Sequence, residues 1–157
     1  MDAASLQLLR SRLISNEGLK LVAYYDKLGY PTQGVGHKLS NERYGSLAPY
    51  PPITEDTAMA WLDADILTAS TEARQEFPWF ATLDGIRQGV IIEMVFQLGI
   101  GRLLGFVHML AAMARAAYSN AAAEMINSEW HQETPARCER LAAIMQTGDP
   151  DAQPQEA

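Results

Sequence analysis

One change in the residue pattern along the chain constrains its fold more than any other feature of the sequence. Between Ala23 and His37, aromatic and β-branched residues alternate with glycine and proline, which is typical of a short hairpin or meander. Before and after this segment, apolar residues recur at helical spacing instead. The sequence therefore predicts an α+β protein that is mostly α, with one small β region near the N-terminus.

Two helices are predicted to flank the β region. Apolar residues at helical spacing within Leu6–Ile14 indicate a first helix that ends near residues 16–18. After a proline-rich boundary at 48–52, Thr54 is a candidate N-cap for a helix that continues to about Gln75. A helix of roughly 20 residues is about 30 Å long, so we expect it to connect two lobes.

The remainder of the chain, after Pro78, is predicted to be helical. The expected helices are Asp84–Leu98 at the core, Leu103–Tyr118, Asn120–Trp130, and a last helix with Thr134 as N-cap, Pro135 at its first position and Gly148 as its stop.

These segments predict a single domain over residues 1–148. It comprises an N-terminal helix and small β lobe (1–53), a connecting helix (54–75) and a helical C-terminal lobe (76–148). Residues 149–157 carry two prolines and no apolar period, so we expect a flexible tail there.

Charge and cysteine content narrow the classes of function. The formal net charge is −7, and an acidic surface disfavours sequence-independent binding to nucleic acid. Cys138 is the only cysteine, so no intramolecular disulfide is expected. The first fifteen residues lack the apolar run of a signal peptide, and the apolar stretch 89–105 contains charged residues. We therefore expect neither an export signal nor stable membrane association.

Two carboxylates and a threonine form the candidate catalytic group. Glu17 and Asp26 flank the entry to the β region, and Thr32 lies inside it. Alone they are weak evidence, because the chain has 19 acidic residues and threonine is common in strands. The chemistry they would suit is glycosidic hydrolysis, in which an acid protonates the leaving oxygen and a second group delivers water.

The sequence around these residues resembles the active-site segment of the lysozymes of T-even and related phages. Residues 17–21 read Glu-Gly-Leu-x-Leu, 24–26 read Tyr-x-Asp, and 29–37 read Gly-Tyr-x-Thr-x-Gly-x-Gly-His, with the gaps of that family. Residues 93–106 are similar to its core helix and following loop. Residues 130–137 are similar to its Trp-x-x-Gln-Thr-Pro-x-Arg stretch, with glutamate in the glutamine position.

The resemblance implies a lysozyme-like two-lobed fold and the activity of an N-acetylmuramidase that cleaves peptidoglycan. It implies that Glu17 is the acid and that Asp26 and Thr32 hold the attacking water in an inverting mechanism. Carboxyl groups in inverting glycosidases are about 6.5–9.5 Å apart, and we expect that separation here.

Four further residues match substrate-binding positions of the family. Phe96 and Gln97 match positions that line its cleft, although an aromatic residue in an apolar helix is as often part of the core. Lys38 follows the family histidine and is expected to contact sugar through its backbone. Arg137 matches a family arginine that would engage a carboxylate of the peptide stem, or would instead cap a surface acid.

His37 is expected to have a structural role. A metal site is disfavoured because no second histidine or cysteine lies at ligand spacing. Asp65 stands where the family has an aspartate on the connecting helix, so an ion pair with His37 is expected. If it forms, Asp65→Asn should lower stability at mildly acidic pH.

The resemblance also carries expectations about partners and location. The expected substrate is peptidoglycan, and the protein is expected to be a monomer without metal or organic cofactor. It is expected to stay in the host cytoplasm until a holin permits its release to the periplasm and cell wall. Two alternatives remain open. One is a lytic transglycosylase, which would not need the Asp26–Thr32 pair, and the other is a noncatalytic wall-binding or virion-structural module, which would not need any of the three catalytic residue types.

Overall fold

A computed structural model describes residues 1–156 and shows a mostly helical chain with one small sheet. The elements, in chain order, are α1 (Ala3–Glu17), β1 (Lys20–Tyr25), β2 (Pro31–Gly34), β3 (His37–Lys38), α2 (Glu55–Glu76), a short 3-10 helix (Phe80–Thr82), α3 (Gly85–Leu98), α4 (Ile100–Leu103), α5 (Val107–Ala114), α6 (Tyr118–Ile126), α7 (Glu129–Glu133) and α8 (Pro135–Thr147). This architecture confirms the predicted α+β, mostly α class.

Contacts divide the chain into two compact units. The sheet unit is Arg10–Thr68, and the helical unit is Met1–Leu9 together with the chain from Ala69 onward. Helices α1 and α2 each contribute residues to both units. The last residue of the expected tail, Ala157, lies outside the described residues.

The sheet is antiparallel with strand order β1-β2-β3. Tyr24 pairs with Thr32, and Thr32 pairs with Lys38, while Gln33 pairs with His37 on the following register position. Because directly paired residues of an antiparallel sheet share a face, Tyr24, Thr32 and Lys38 lie on one face. His37 and Gln33 lie on the other.

The helical unit is built around α3. Asp84 caps this helix by accepting a hydrogen bond from the Arg87 amide at 2.9 Å, which explains the start one residue after the predicted position. Val90 and Ile91 at its centre are fully buried, as is Trp130 of α7. The expectation of a central core helix over this segment is therefore confirmed.

The predicted single helix Leu103–Tyr118 is wrong. Helix α4 ends at Leu103 and α5 covers only Val107–Ala114. The chain then turns at Ala116, which has a φ of 56°, and a left-handed residue cannot continue a right-handed helix.

The predicted helix Asn120–Trp130 is also wrong, because Ser128 interrupts it. The Ser128 hydroxyl accepts from the His131 amide and so begins the separate helix α7. Helix α8 begins at Pro135 as predicted, and Gly148, with a φ of 73°, ends it. The Thr134 side chain does not cap α8.

No helix within residues 1–156 combines the length and apolar character needed to cross a membrane.

Candidate active site

Glu17 is the last residue of α1 and is half-buried. The turn between β2 and β3 passes close to its side chain, because a Cβ added at Gly36 would lie 3.2 Å from Glu17 Oε2. Gly36 has a φ of 62°, which a residue with a side chain rarely adopts. The glycine in the Gly-x-Gly-His motif thus permits both the tight turn and its approach to the Glu17 carboxyl.

The Asp26 carboxyl is positioned by its own turn. Its Oδ1 atom accepts hydrogen bonds from the amides of Leu28 and Tyr30, both at 2.9 Å. The Asp26 amide in turn donates to the Tyr30 carbonyl at 3.0 Å. Since both side-chain bonds go to Oδ1, the turn holds the carboxyl in place without consuming its second oxygen, Oδ2.

Thr32 lies in the middle strand, and its residue surface is only 3% exposed. Its hydroxyl donates to the Tyr30 carbonyl at 2.8 Å. With its proton committed to that bond, the Thr32 oxygen keeps lone pairs with which to accept a hydrogen bond. Tyr30 therefore connects the two candidate water-positioning residues, through its amide to Asp26 and through its carbonyl to Thr32.

Tyr24 is part of this group, although the sequence analysis did not single it out. Burial raises the pKa of the Tyr24 phenol, and the negative charges of Glu17 and Asp26 raise that pKa further. Tyr24 is also the direct partner of Thr32 across β1 and β2. The Tyr-x-Asp motif was the sequence signal that could have identified Tyr24, and its pairing opposite Thr32 is the structural one.

His37 and Asp65 form a close pair behind the sheet. His37 Nδ1 lies 2.7 Å from Asp65 Oδ2, and nearly a third of each side chain is exposed. The imidazole also packs on Trp61, with ring centroids 4.8 Å apart. Both partners come from α2, so these contacts connect strand β3 to that helix within the sheet unit.

Lys38 pairs with Thr32 across the strands, and its side chain is exposed. The Lys38 ammonium lies over the Tyr30 ring, 3.9 Å from its centroid. The family resemblance predicts that Lys38 contacts sugar through its backbone. The side chain of Lys38 also holds a positive charge in a defined place, over the Tyr30 ring.

Phe96, Gln97 and Arg137 lie in the helical unit, not in the sheet unit that contains the other six predicted residues. Phe96 is half-buried and its neighbour Gln97 uses both ends of its amide. The Gln97 nitrogen donates to the Thr134 hydroxyl at 3.1 Å, and its oxygen accepts from the Trp130 indole at 2.9 Å. The Gln97 side chain is therefore held in one orientation.

Arg137 lies beside a buried acid. Its Nη2 atom is 4.0 Å from Glu93 Oε2, and the Glu93 side chain is fully buried. The acid in this contact is thus a buried one, and both the stem-carboxylate role and the surface-acid role of Arg137 stay predictions. Among residues 1–156, no group of three or more His, Cys, Asp or Glu side chains is arranged to hold a metal ion.

Comparisons with known proteins agree on one family. A family model described as phage lysozyme matches residues 14–144, which include all nine predicted site residues. "Probable T4-type lysozyme 1" of Dictyostelium discoideum is 32% identical over 89% of this chain and 94% of its own. "Probable T4-type lysozyme 2" of the same organism is 26% identical, with the same coverage. "Pre-baseplate central spike protein Gp5" of Enterobacteria phage T4 is 28% identical over 85% of this chain, but over 27% of its own length.

Proposed function

Because the chain belongs to the phage lysozyme family and is a peptidoglycan-hydrolysing lysozyme, we propose that it cleaves the β-1,4 bond between N-acetylmuramic acid and N-acetylglucosamine with inversion at the anomeric carbon. The observation that carries this proposal is the grouping within the sheet unit. The Tyr30 backbone is hydrogen-bonded to both the Asp26 carboxyl and the Thr32 hydroxyl, and the turn that follows β2 passes close to the Glu17 carboxyl at Gly36.

In the proposed reaction, Glu17 donates its proton to the glycosidic oxygen as the bond from that oxygen to the anomeric carbon breaks. Asp26 Oδ2 and the Thr32 oxygen hold a water molecule on the opposite face of the sugar. The water oxygen forms the new bond to the anomeric carbon, and its proton passes to Asp26. The turn that fixes Asp26 supports this role, because a base must be positioned before the water attacks.

The remaining residues are proposed to bind or support. Lys38 is proposed to contact sugar through its backbone, and Phe96, Gln97 and Arg137 to contact the substrate, as the family resemblance implies. The fixed orientation of the Gln97 amide supports a positioning role for that residue. The His37–Asp65 pair is proposed to be structural, since it connects β3 to α2.

The decisive experiment compares wild type, Glu17→Gln and Glu42→Gln on purified peptidoglycan. Glu42 is an exposed glutamate of the same unit, so its variant controls for the loss of one negative charge. We expect Glu17→Gln to lose roughly 10²–10⁴-fold in kcat, while Glu42→Gln clears the wall at the wild-type rate. Equal clearing by wild type and a folded Glu17→Gln would place the acid elsewhere.

Product analysis separates the proposed activity from the two alternatives. Hydrolysis with inversion releases a new reducing end in the α configuration. An anhydro sugar would indicate a transglycosylase, and retention would overturn the proposed water-positioning roles of Asp26 and Thr32. Wall binding without any cleavage by wild type would favour the noncatalytic module. This outcome is tested because the chain is also similar to part of a virion spike protein.

Lysis of a bacterial host is the proposed biological role. We propose that the protein is a monomer that reaches the wall from the host cytoplasm only after a holin opens the membrane, as the family resemblance implies. Expression in bacteria with and without a co-expressed holin tests this, and lysis should require the holin. Light scattering should give a mass near the 17.3 kDa of one chain.

A further inference from the structure

The lysines of this chain are concentrated in one place. Its three lysines are Lys20, Lys27 and Lys38, and all lie in the sheet or in its first turn, whereas the chain carries a net charge of −7. A lysine ammonium attracts an anion that comes close to it. All lysine ammonium groups of this protein lie at the sheet, in the same unit as the carboxylates of Glu17 and Asp26.

Two of these lysines are placed by tyrosine rings. The Lys38 ammonium lies 3.9 Å from the centroid of Tyr30, and the Lys20 ammonium lies 4.1 Å from that of Tyr24. A cation above an aromatic ring is attracted to the negative face of that ring. This contact restricts a side chain that otherwise has many rotamers, while an exposed ammonium keeps N–H donors for an anion.

The sheet register puts these groups beside the candidate catalytic residues. Lys38 is the direct partner of Thr32, and Tyr24 is its partner on the other side. The ammonium of Lys38 is thus on the same face of the sheet as the residue proposed to hold water. A sugar attacked by the water proposed at Thr32 would lie on the same face of the sheet as this lysine.

The glycan backbone of peptidoglycan consists of neutral sugars, and its negative charges are the carboxylates of the stem peptide. We propose that Lys38, placed by Tyr30 and assisted by Lys20, binds a free stem carboxylate and makes the enzyme select carboxylate-bearing over amidated stems. The inference rests on the proposed function and names a specificity-determining side chain for it. It concerns the ammonium group of Lys38, in addition to the backbone contact.

The test uses two substrates and matched variants. Peptidoglycan freed of phosphate-bearing polymers is compared with the same material after chemical amidation of its carboxyl groups. Lys38→Gln removes the proposed contact and Lys38→Arg keeps its charge. Lys27→Gln removes one exposed charge from the turn after Asp26 and is the matched control. The readouts are kcat and KM on each substrate, with the melting temperature as a check of folding.

We expect wild type to have a KM at least fivefold lower on the carboxylate-bearing substrate. Lys38→Gln should reduce this preference to less than twofold, mainly through KM, while Lys27→Gln and Lys38→Arg retain it. An unchanged preference in Lys38→Gln would overturn the proposal, and so would an equal loss of kcat on both substrates.

A binding arm keeps this result separate from the proposed hydrolysis. The same Lys38 and Lys27 substitutions are made in the Glu17→Gln background, and binding to both forms of peptidoglycan is measured by cosedimentation. Carboxylate-selective binding that depends on Lys38 supports the inference even if wild type cuts neither substrate. Binding that ignores the carboxylates contradicts the inference even if wild type cuts both.

Discussion

Tyr24 and Thr32 lie directly opposite each other across β1 and β2. The pairing puts a phenol and a hydroxyl side by side on the face of the sheet from which Lys38 also projects. Burial, and then the charges of Glu17 and Asp26, raise the pKa of the same phenol. Consequences of this arrangement, and of the burial of Cys138 in the helical unit, can be measured.

Asp26→Asn should inactivate the enzyme without opening the Asp26 turn. The asparagine amide oxygen can still accept from Leu28 and Tyr30, but it cannot take a proton from water. We expect kcat to fall at least about 100-fold while the melting temperature changes by less than about 3 °C. Asp26→Ala should lose both turn bonds and melt lower. Wild-type activity in Asp26→Asn would remove the proposed base.

The titration of Tyr24 should depend on Glu17. Burial, then the charges of Glu17 and Asp26, raise the pKa of the Tyr24 phenol. Ultraviolet titration at alkaline pH should show a late-ionising component that is absent in Tyr24→Phe and shifted to lower pH in Glu17→Gln. A tyrosinate curve that Glu17→Gln leaves unchanged would contradict the effect of the Glu17 charge on Tyr24.

The raised pKa of the Tyr24 phenol also affects the stability of the folded protein at alkaline pH. The folded protein holds the phenolic proton more tightly than the unfolded chain, whose tyrosines titrate near 10. The stabilisation from Tyr24 is therefore fully present below about pH 10 and is lost as the pH rises through the folded-state pKa. Tyr24→Phe should remove this part of the alkaline loss of stability, which chemical denaturation at several pH values will measure.

His37 and Asp65 should be energetically coupled. Their atoms are 2.7 Å apart, but nearly a third of each side chain is exposed, so solvent weakens the pair. A double-mutant cycle with His37→Ala and Asp65→Ala should give a coupling free energy of about 1 kcal/mol. Additive effects of the two substitutions would show that the close contact contributes nothing to stability.

Cys138 should be chemically inert in the folded protein. The thiol is fully buried and donates to the Met125 carbonyl at 3.2 Å. Burial, assisted by the charge of Glu139, raises its pKa to about 12. A thiol reagent at pH 8 should react with Cys138 only after unfolding in guanidinium. Rapid labelling of native protein would contradict this burial.

The raised pKa of the Cys138 thiol also makes the stability of the folded protein depend on pH. The folded state retains the thiol proton to higher pH than an unfolded cysteine, which titrates near 8.5. The contribution to stability is thus complete below that pH and declines as the pH rises toward about 12. Cys138→Ala should show a smaller decline over this interval when unfolding is followed by circular dichroism.

Much of this protein was determined by short-range patterns in its sequence. Thr54 caps α2 through a hydrogen bond from the Thr57 amide, Asp84 caps α3, and Gly148 ends α8. Each device involves residues within a few positions of one another. The change from helical spacing to glycine-punctuated β residues likewise predicted the sheet, because side-chain period depends on local backbone geometry.

The tertiary structure alone decided where the long apolar segments break and which distant residues contact one another. The breaks at Ala116 and Ser128 occur within continuous apolar spacing that favoured longer helices. Gln97 finds its two amide partners 33 and 37 positions away. No local pattern encodes such contacts, because they depend on where separate helices pack.

The candidate site divides in the same way. The motif named Glu17, Asp26 and Thr32 from the sequence, since residue type and spacing are local properties. The approach of Gly36 to Glu17, and the position of Tyr24 opposite Thr32, follow from a turn and a strand register. Register and packing are set by the folded backbone as a whole, and only the tertiary structure reveals the neighbours that tune each group's chemistry.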